Sequence, residues 1–457
     1  MTARLIPYLI VYSDTLWDCS SFNWNPRTLG VNFRLPLIMC SSVFILLAFS
    51  YPNHISAENK PAINYTNHDL NFQTLPQMTI FELPLRDSIK DSKSTVIQDL
   101  LKQLLARADS YLTEEPNSVM DKKQLPPSGD KHDFLSLAPF HWPDNTKPNG
   151  IPYTYRDGRL NPEASAVPDR ENLGKMIGRV KILSVAYYYT GDTVYANKTS
   201  ELLRTWFINN DTRMNPSLQY SEVITGKNNG TRSGIIAANY FPMVLDSIKL
   251  IEDSPAWTHD DKQAIEMWFN DYLEWLLHSN FGIKESKESN NHGTWYDVQA
   301  SSIAMFLNKS EIVRNILENN MNKLISEKIR PDGAQPFELG RQTSLNYHIF
   351  NLMGLFNLAK VGSYYGIDLW NYETPEDSGL KKALDYLVPF ALGNETWPYA
   401  QIKPIDKDGL HDLICQAIVN YKDNDSYIKA YRSLDQLNMT MQVDGLIYGC
   451  ASLMLNK

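Results

Sequence analysis

The fold of this chain can be read outward from Asn290-Asn291-His292-Gly293-Thr294-Trp295-Tyr296, where a polar turn leads into an apolar segment. Thr294 is followed three residues later by Asp297, the spacing of a capping box, which predicts a helix beginning at Thr294. Asn291 and His292 would then lie just before the helix, where free backbone N–H groups and the helix dipole favour a bound carboxylate. A polar turn with ordinary hydrogen bonds is the alternative interpretation.

A second polar stretch follows at residues 331–348. Its helix is predicted to begin near Ser344, which leaves Arg341 on the preceding loop and places Tyr347 in the first turn. We expect Glu338 to orient Arg341 through a charge-assisted hydrogen bond. The alternative is an exposed arginine beside a tyrosine that belongs to the core.

Helical periodicity continues on both sides of these stretches, without strand-period segments of comparable strength. The predicted helices cover residues 96–112, 172–190, 193–209, 235–252, 258–279, 294–307, 310–329, 344–365, 380–392, 409–420 and 426–437. No sequence repeat marks a solenoid, and helices of similar length pack readily as antiparallel pairs. The sequence therefore predicts an all-α fold, an α/α toroid, in a single domain spanning residues 96–457.

Proline and glycine interrupt residues 140–162, which predicts an ordered loop inside this domain. Long loops in compact domains usually bind or catalyse. Trp142, Tyr153 and Arg156 favour a binding loop over a linker, because aromatic faces suit sugar rings. Arg232 adds a further positive charge for substrate binding.

The N-terminal part of the chain carries a targeting signal. An apolar run at residues 35–49 follows Arg34 and precedes the small residue Ala57, which predicts a signal peptide at residues 39–57. Residues 1–38 are then an unusual leader or reflect a mis-assigned start, and residues 58–95 form a polar lead-in. A retained membrane anchor is the alternative.

Two further features bear on the compartment. Eight Asn-x-Ser/Thr acceptor sites follow the signal and agree with a secreted glycoprotein: Asn64, Asn197, Asn210, Asn229, Asn308, Asn394, Asn424 and Asn438. Cys19 and Cys40 precede the end of the signal, so Cys415 and Cys450 remain, either as one disulfide or as two separate buried thiols.

Composition excludes some function classes. The chain has 457 residues, a hydrophobic fraction of 43% and a formal net charge of −9, as in a soluble globular protein. The negative charge argues against a general nucleic-acid binder. Any anionic ligand must therefore be met by a local positive pocket rather than by the overall field.

The polar residues of the two central stretches supply an amide, an imidazole, a guanidinium and a phenol, without metal-ligand spacing. This set suits removal of a proton from a carbon next to a carboxylate. Asn291 can donate hydrogen bonds to that carboxylate, and Arg341 can pair with it permanently. A phenol near a guanidinium can exchange protons, so Tyr347 is a candidate acid and base, and His292 is an alternative base or a second donor.

At these residues the chain resembles the alginate lyase (mannuronate lyase) superfamily of polysaccharide lyases, across about residues 135–400. Four sets of residues carry the resemblance: Phe140-His141-Trp142-Pro143-Asp144 with Lys147 to Tyr153, Arg156-Asp157-Gly158 and Asn161-Pro162; Thr231-Arg232-Ser233-Gly234-Ile235-Ile236; Asn290 to Trp295; and Asp332-Gly333, Glu338, Arg341 and Tyr347-His348. Each set is weak alone, and the four in the family's order are strong.

The resemblance implies an incomplete α/α toroid and metal-independent β-elimination on an anionic polyuronate. It implies that Asn291, His292 and Arg341 hold the substrate carboxylate, while Tyr347 acts as acid and is a candidate base. We further expect a monomer that needs no cofactor, binds no nucleic acid and has no stable membrane association once the signal is cleaved. The candidate substrate contacts are Trp142, Tyr153, Arg156, Arg232, Asn290, Trp295, Glu338 and His348.

Two departures from the family pattern bear on the substrate. The spacing from Arg341 to Tyr347 is shorter than in mannuronate lyases by about one residue. The residues around Arg341 also lack the run of basic residues that mannuronate lyases have there. A glucuronan-like or other uronate polymer therefore fits as well as alginate.

Three other functions are weighed against this one. A glycoside hydrolase on the same toroid needs two carboxylates flanking the bond, for which Asp297 and Glu338 are candidates. A non-catalytic polysaccharide-binding protein would keep the groove without turnover. A zinc site using His292 and His348 lacks the usual ligand spacing.

Overall fold

The computed structural model describes residues 77–318, 321, 323–421, 424–436 and 443–448. The predicted leader, the predicted signal peptide, Asn64, Asn438 and Cys450 lie outside these residues. Thirteen α-helices occur in the described part of the chain: α1 Arg86–Lys90, α2 Thr95–Tyr111, α3 Asp169–Thr190, α4 Thr193–Leu203, α5 Phe241–Ile251, α6 His259–His278, α7 Asn280–Glu285, α8 Asn291–Phe306, α9 Ser310–Leu317, α10 Ser344–Tyr364, α11 Leu380–Ala391, α12 Lys407–Asn420 and α13 Asp425–Gln436.

Helices α3, α8 and α10 form the centre of the fold: apolar and small residues cover nearly every face of α8 and α10, and most residues of α3 are also buried. A helix that is apolar all round must be enclosed by other elements. Each of α3, α5, α8, α10 and α12 packs on the next in that order. The flanking helices α2, α4, α6, α9, α11 and α13 cover this row.

The prediction of a helix-rich fold is confirmed, and most helices lie within a few residues of their predicted bounds. The differences occur where the backbone leaves α geometry. The helix predicted over residues 235–252 is in fact a 3₁₀ segment, Arg232–Ala238, followed by α5. Two other predicted helices end in π-helical turns, at Arg204–Ile208 and Lys323–Glu327. Apolar periodicity predicts a buried face but does not distinguish between these helix types.

Short strands are the feature that an all-α prediction omits. β1 Leu135–Leu137 pairs in parallel with β4 Tyr220–Val223, and β2 His141–Trp142 pairs antiparallel with β3 Thr154–Tyr155. The predicted loop at residues 140–162 is therefore a small hairpin with irregular connections. Strands of two to four residues are too short to show a period in the sequence.

The packed structure begins before residue 96, so the lead-in prediction is wrong for residues 78–90. Phe81 is buried, and the carboxylate of Asp246 accepts hydrogen bonds from the backbone N–H groups of Thr79, Ile80 and Phe81 at 2.7–2.9 Å. Burial raises the pKa of Asp246 to about 6 despite these three donors. A single buried carboxylate in α5 thus holds the N-terminal segment against the domain. The local sequence of that segment does not reveal this contact.

The C-terminal residues return to the N-terminal part of the domain. The 3₁₀ turn Val443–Leu446 packs on α2, and the Tyr189 hydroxyl donates to the Leu446 carbonyl oxygen at 3.1 Å. Glu82 N donates to the Ile447 carbonyl oxygen at 2.7 Å. Cys415 in α12 is disulfide-bonded, as one of the two sequence interpretations expected.

Candidate active site

Helix α8 begins three residues earlier than the sequence predicts. Asn290 is its N-cap, and the Asn290 side-chain oxygen accepts a hydrogen bond from His292 N at 3.0 Å. The predicted capping box of Thr294 and Asp297 is therefore wrong, because asparagine competes effectively for the N-cap position. Asn291 and His292 lie inside the first turn, at the positive end of the helix dipole.

The turn before α8 is held by a buried cation. Lys328 Nζ donates to the carbonyl oxygens of Glu288, Ser289 and Asn290 at 3.1–3.4 Å. Burial lowers the pKa of Lys328. Gly293 completes the turn, because an added Cβ would lie 1.9 Å from the Glu288 carbonyl oxygen. The backbone that presents Asn291 and His292 is thus tightly constrained.

Glu338 binds Asn291 through two hydrogen bonds. The backbone N–H of Asn291 donates to Glu338 Oε1 at 2.6 Å, and Asn291 Nδ2 donates to Oε2 at 2.8 Å. Burial raises the pKa of Glu338, against the hydrogen bonds from Asn291 and the charge of Arg341. Asn291 Oδ1 is buried and has no hydrogen-bond partner among the described residues. The loop of Arg341 and the start of α8 are therefore joined through one carboxylate.

His292 is held by Glu285, which lies at the end of α7. Its Nδ1 lies 2.5 Å from Glu285 Oε1, and both side chains are about 1% exposed. Arg232 Nη1 pairs with the other oxygen of Glu285 at 2.9 Å, and Arg232 Nη2 pairs with Glu288 at 3.0 Å. A carboxylate at Nδ1 fixes the orientation of the imidazole and directs Nε2 to the opposite side. Arg232 thus fixes the position of Glu285, the carboxylate that binds His292.

Arg341 is oriented by Asp157 rather than by Glu338, so that expectation is wrong. Arg341 Nη2 pairs with Asp157 Oδ1 at 2.7 Å, and Nε lies 3.2 Å from Oδ2. The Tyr155 hydroxyl and the backbone N–H of Gln342 also donate to this carboxylate. Burial acts to raise the pKa of Asp157, but the hydrogen bond and charge of Arg341 outweigh it and lower the pKa.

The guanidinium of Arg341 lies over the ring of Tyr347. Its central carbon is 3.9 Å from the ring centroid, and Tyr347 is fully buried. A cation against an aromatic face is attracted by the ring quadrupole, more strongly when both groups are shielded from water.

The structure therefore brings the four predicted catalytic residues into one connected region. Asn291 and His292 are adjacent in α8, Glu338 joins Asn291 to the Arg341 loop, and Arg341 covers Tyr347. The region combines hydrogen-bond donors and a fixed cation with a phenol. Such an arrangement can neutralise a carboxylate and move a proton next to it.

The β2–β3 hairpin carries the predicted sugar contacts and adjoins Arg341. Arg156 lies 5.4 Å from the ring centroid of Trp142, which is partly exposed. The Tyr153 hydroxyl donates to Glu163 at 2.5 Å, a bond that raises the pKa of Tyr153. Because Tyr155 and Asp157 follow on the same hairpin, Trp142 and Arg156 are placed near the polar region rather than on a remote surface.

Two of the predicted substrate contacts belong to the core instead. Trp295 is 1% exposed, stacks on Phe350 and donates its indole N–H to the Phe350 carbonyl oxygen. His348 is fully buried, with Nε2 accepting from Gln335 N at 3.1 Å and Nδ1 bonded to the Ser344 carbonyl oxygen at 2.8 Å. Residue type alone did not distinguish a sugar platform from a packed aromatic side chain.

His348 is expected to make the protein sensitive to acid. Burial lowers the pKa of His348 to about 4, below the value of about 6.5 in an unfolded chain. The unfolded chain therefore takes up the proton first. The stability that the neutral imidazole of His348 allows is complete above pH 6.5 and is lost as pH falls toward 4. Between these pH values, the wild type should lose on the order of 3 kcal/mol more unfolding free energy than His348→Gln. Urea denaturation across the pH range measures this, and parallel curves would contradict it.

Asp157, Glu285 and Lys328 are functional partners that the sequence did not single out. Asp157 stands in the Arg156-Asp157-Gly158 motif, so the motif offered a signal for it. Glu285 and Lys328 lie in ordinary polar surroundings and reach the site only through the fold. Among the described residues, no group of three or more His, Cys, Asp or Glu side chains is placed to hold a metal ion.

The chain is similar to a known family and to solved structures. The family model described as alginate lyase matches residues 118–397. A crystal structure of an alginate lyase from Bacteroides ovatus is similar at 34% identity and a TM-score of 0.73, over 80% of this chain and 96% of that one. Alginate lyase A1-III, in a histidine-to-alanine variant complexed with a tetrasaccharide, is similar in fold at 16% identity and a TM-score of 0.50, over 78% and 92%. No curated protein matches the chain.

Proposed function

The chain belongs to the alginate lyase family, and from that premise we propose that it is a polysaccharide lyase that cleaves an anionic polyuronate by β-elimination. The observation that carries the proposal is the buried guanidinium of Arg341 at 3.9 Å from the Tyr347 ring, joined through Glu338 to the start of α8. The similar structures include alginate lyases, and the polymer is either alginate or a glucuronan-like uronate.

The first step needs the substrate carboxylate to lose much of its charge. A proton on the carbon beside a carboxylate is very weakly acidic, because its removal places further negative charge on the same group. Asn291 and His292, at the N-terminus of α8, donate to the carboxylate, and Arg341 supplies a fixed positive charge. Fixed donors aimed at developing charge are commonly the largest contribution to such a reaction.

Tyr347 then moves the protons. Its phenolate takes the proton from the ring carbon, that C–H electron pair forms a carbon–carbon double bond, and the glycosidic C–O bond breaks. The phenol returns the proton to the leaving oxygen, so the tyrosine is restored. Glu285 accepts at Nδ1 of His292 and so directs Nε2 to the opposite side, which suits His292 as a donor.

Glu285→Gln tests the role of His292. The amide keeps the shape of the side chain but removes its charge, so it holds Nδ1 of His292 by a weaker hydrogen bond. Losing the charge-assisted part of the bond should lower kcat by about 10-fold. Double-bond absorbance measures the rate, and equal kcat in the variant and the wild type would remove Glu285 from the mechanism.

A substrate panel tests the function itself. Protein beginning at Glu58 is incubated with polymannuronate, polyguluronate, glucuronan and a neutral polysaccharide. Ultraviolet absorbance from the new double bond should rise with at least one uronate polymer and not with the neutral one. New reducing ends without absorbance would identify a hydrolase, and binding without either product would identify a non-catalytic binding protein.

The architecture and the compartment complete the proposal. An incomplete α/α toroid is supported by the row from α3 to α12 with its flanking helices. Secretion is supported by the apolar run at residues 35–49 and by the acceptor sites that follow it. N-terminal sequencing of protein recovered from culture medium tests cleavage after Ala57.

A further inference from the structure

A short segment, Trp397-Pro398-Tyr399-Ala400-Gln401-Ile402, lies beside the start of α10, and we name it the aromatic strap. Ser344 N donates to the Ala400 carbonyl oxygen and Ile402 N donates to the Gln342 carbonyl oxygen, both at 2.9 Å. The indole N–H of Trp397 donates to Ser344 Oγ at 2.7 Å. The strap is therefore fixed to the segment that carries Arg341 and Tyr347.

The strap and α11 form one cluster of aromatic rings. Trp397 lies 5.3 Å from Tyr399, 5.1 Å from Phe390 and 6.0 Å from Tyr386, measured between ring centroids. These rings are partly exposed, and Tyr399 is 38% exposed. The inner end of the cluster is the buried side chain of His348 in α10, whose ring lies 5.0 Å from that of Trp397. Aromatic side chains thus extend from the buried side of α10 to the surface.

A cation accompanies these rings. Arg330 lies on the turn that ends at Ala334, where Arg330 N donates to the Ala334 carbonyl oxygen at 2.9 Å, and this turn packs on Tyr386, because a Cβ added to Gly333 would lie 2.7 Å from Tyr386 Cβ. Arg330 pairs with Asp332 at 2.6 Å, and both side chains are about half exposed. Because water competes with an exposed ion pair, a ligand carboxylate can take the place of Asp332 at small cost.

We propose that Tyr399, Trp397 and Arg330 form a binding subsite for a uronate residue of the polymer, away from the bond that is cleaved. The ring faces would take the apolar face of the sugar, and Arg330 would meet its carboxylate. The proposal rests on the proposed function and extends it. Its support is the attachment of the strap to the segment that carries Arg341 and Tyr347, and the presence of a cation beside exposed aromatic surface.

Kinetics on substrates of different length test the subsite. Tyr399→Ala and Arg330→Gln should each raise KM for long chains by about 2- to 12-fold, with kcat unchanged. KM for the shortest cleaved oligosaccharide should stay constant, because it does not reach the subsite. Met267→Ala is the matched control, since Met267 is 67% exposed on α6 and should change neither constant.

The outcomes separate this subsite from the proposed function. If the wild type cleaves uronate polymers and both variants keep the wild-type KM at every length, the subsite is wrong and the function stands. If the wild type cleaves none, the function fails, and titration calorimetry with uronate oligosaccharides still decides the subsite. Weaker binding by Tyr399→Ala supports it, and equal or absent binding overturns it.

Discussion

Replacing Tyr347 by phenylalanine should lower kcat by about 10²–10⁴-fold while leaving KM close to the wild-type value. The substitution removes only the hydroxyl, which is the group proposed to take and return the proton. The ring keeps its packing and its contact with Arg341 at 3.9 Å. Ground-state binding should therefore persist, because the carboxylate is held by Asn291, His292 and Arg341.

Tyr189→Phe provides the matched control for this experiment. Tyr189 is also fully buried, and its hydroxyl bonds to a backbone carbonyl oxygen far from the site. Its loss should cost about 1 kcal/mol of stability and leave kcat unchanged. Double-bond absorbance gives the rates, and thermal unfolding shows whether each variant folds. A Tyr347→Phe variant with a near-wild-type rate would exclude the phenol from proton transfer.

The helices were predictable because their buried apolar residues recur with the helical period. Where predictions failed, a local interaction outweighed the pattern. Asn290 occupies the N-cap of α8 ahead of Thr294, and Asp246 binds the backbone of residues 79–81, a short apolar segment without helical period. Such competition depends on side-chain geometry and on distant partners, neither of which appears in hydrophobic periodicity.

The candidate site was predictable in its principal residues but not in their partners. Asn291, His292, Arg341 and Tyr347 stand in two recognisable stretches of sequence. The carboxylate that binds Arg341 belongs to Asp157, 184 residues away in sequence. Only the packing of the β2–β3 hairpin on the loop before α10 brings the two residues together. Glu338 was the nearer acidic residue in sequence, yet it binds Asn291 instead.

Arg341→Ala is expected to lower kcat by about 10²–10³-fold and also to raise KM. The guanidinium pairs with the carboxylate both in bound substrate and in the transition state, so its removal weakens both. Arg341→Lys is the informative comparison, because lysine keeps the charge but not the planar fork that pairs with Asp157. We expect it to restore part of the binding and little of the rate.

The same substitution should destabilise the fold through Asp157. Losing Arg341 leaves the Asp157 carboxylate largely buried with only Tyr155 and the Gln342 N–H as donors, at a cost on the order of 3 kcal/mol. The double variant with Asp157→Asn should regain most of this stability but none of the catalytic rate. If it regained the rate as well, Arg341 would serve the fold and not the substrate.

The pH dependence of this loss follows from the Asp157 carboxylate. Burial acts to raise the pKa of Asp157, but the hydrogen bond and charge of Arg341 outweigh burial and lower the pKa below its unfolded value of about 3.9. The pair therefore contributes its full stability above that value and loses it as pH falls through the lower, folded pKa. The gap in unfolding free energy between wild type and Arg341→Ala should be widest near neutral pH and shrink in strong acid. Urea unfolding at a series of pH values measures it, and a gap independent of pH would mean that the Asp157 charge does not stabilise Arg341.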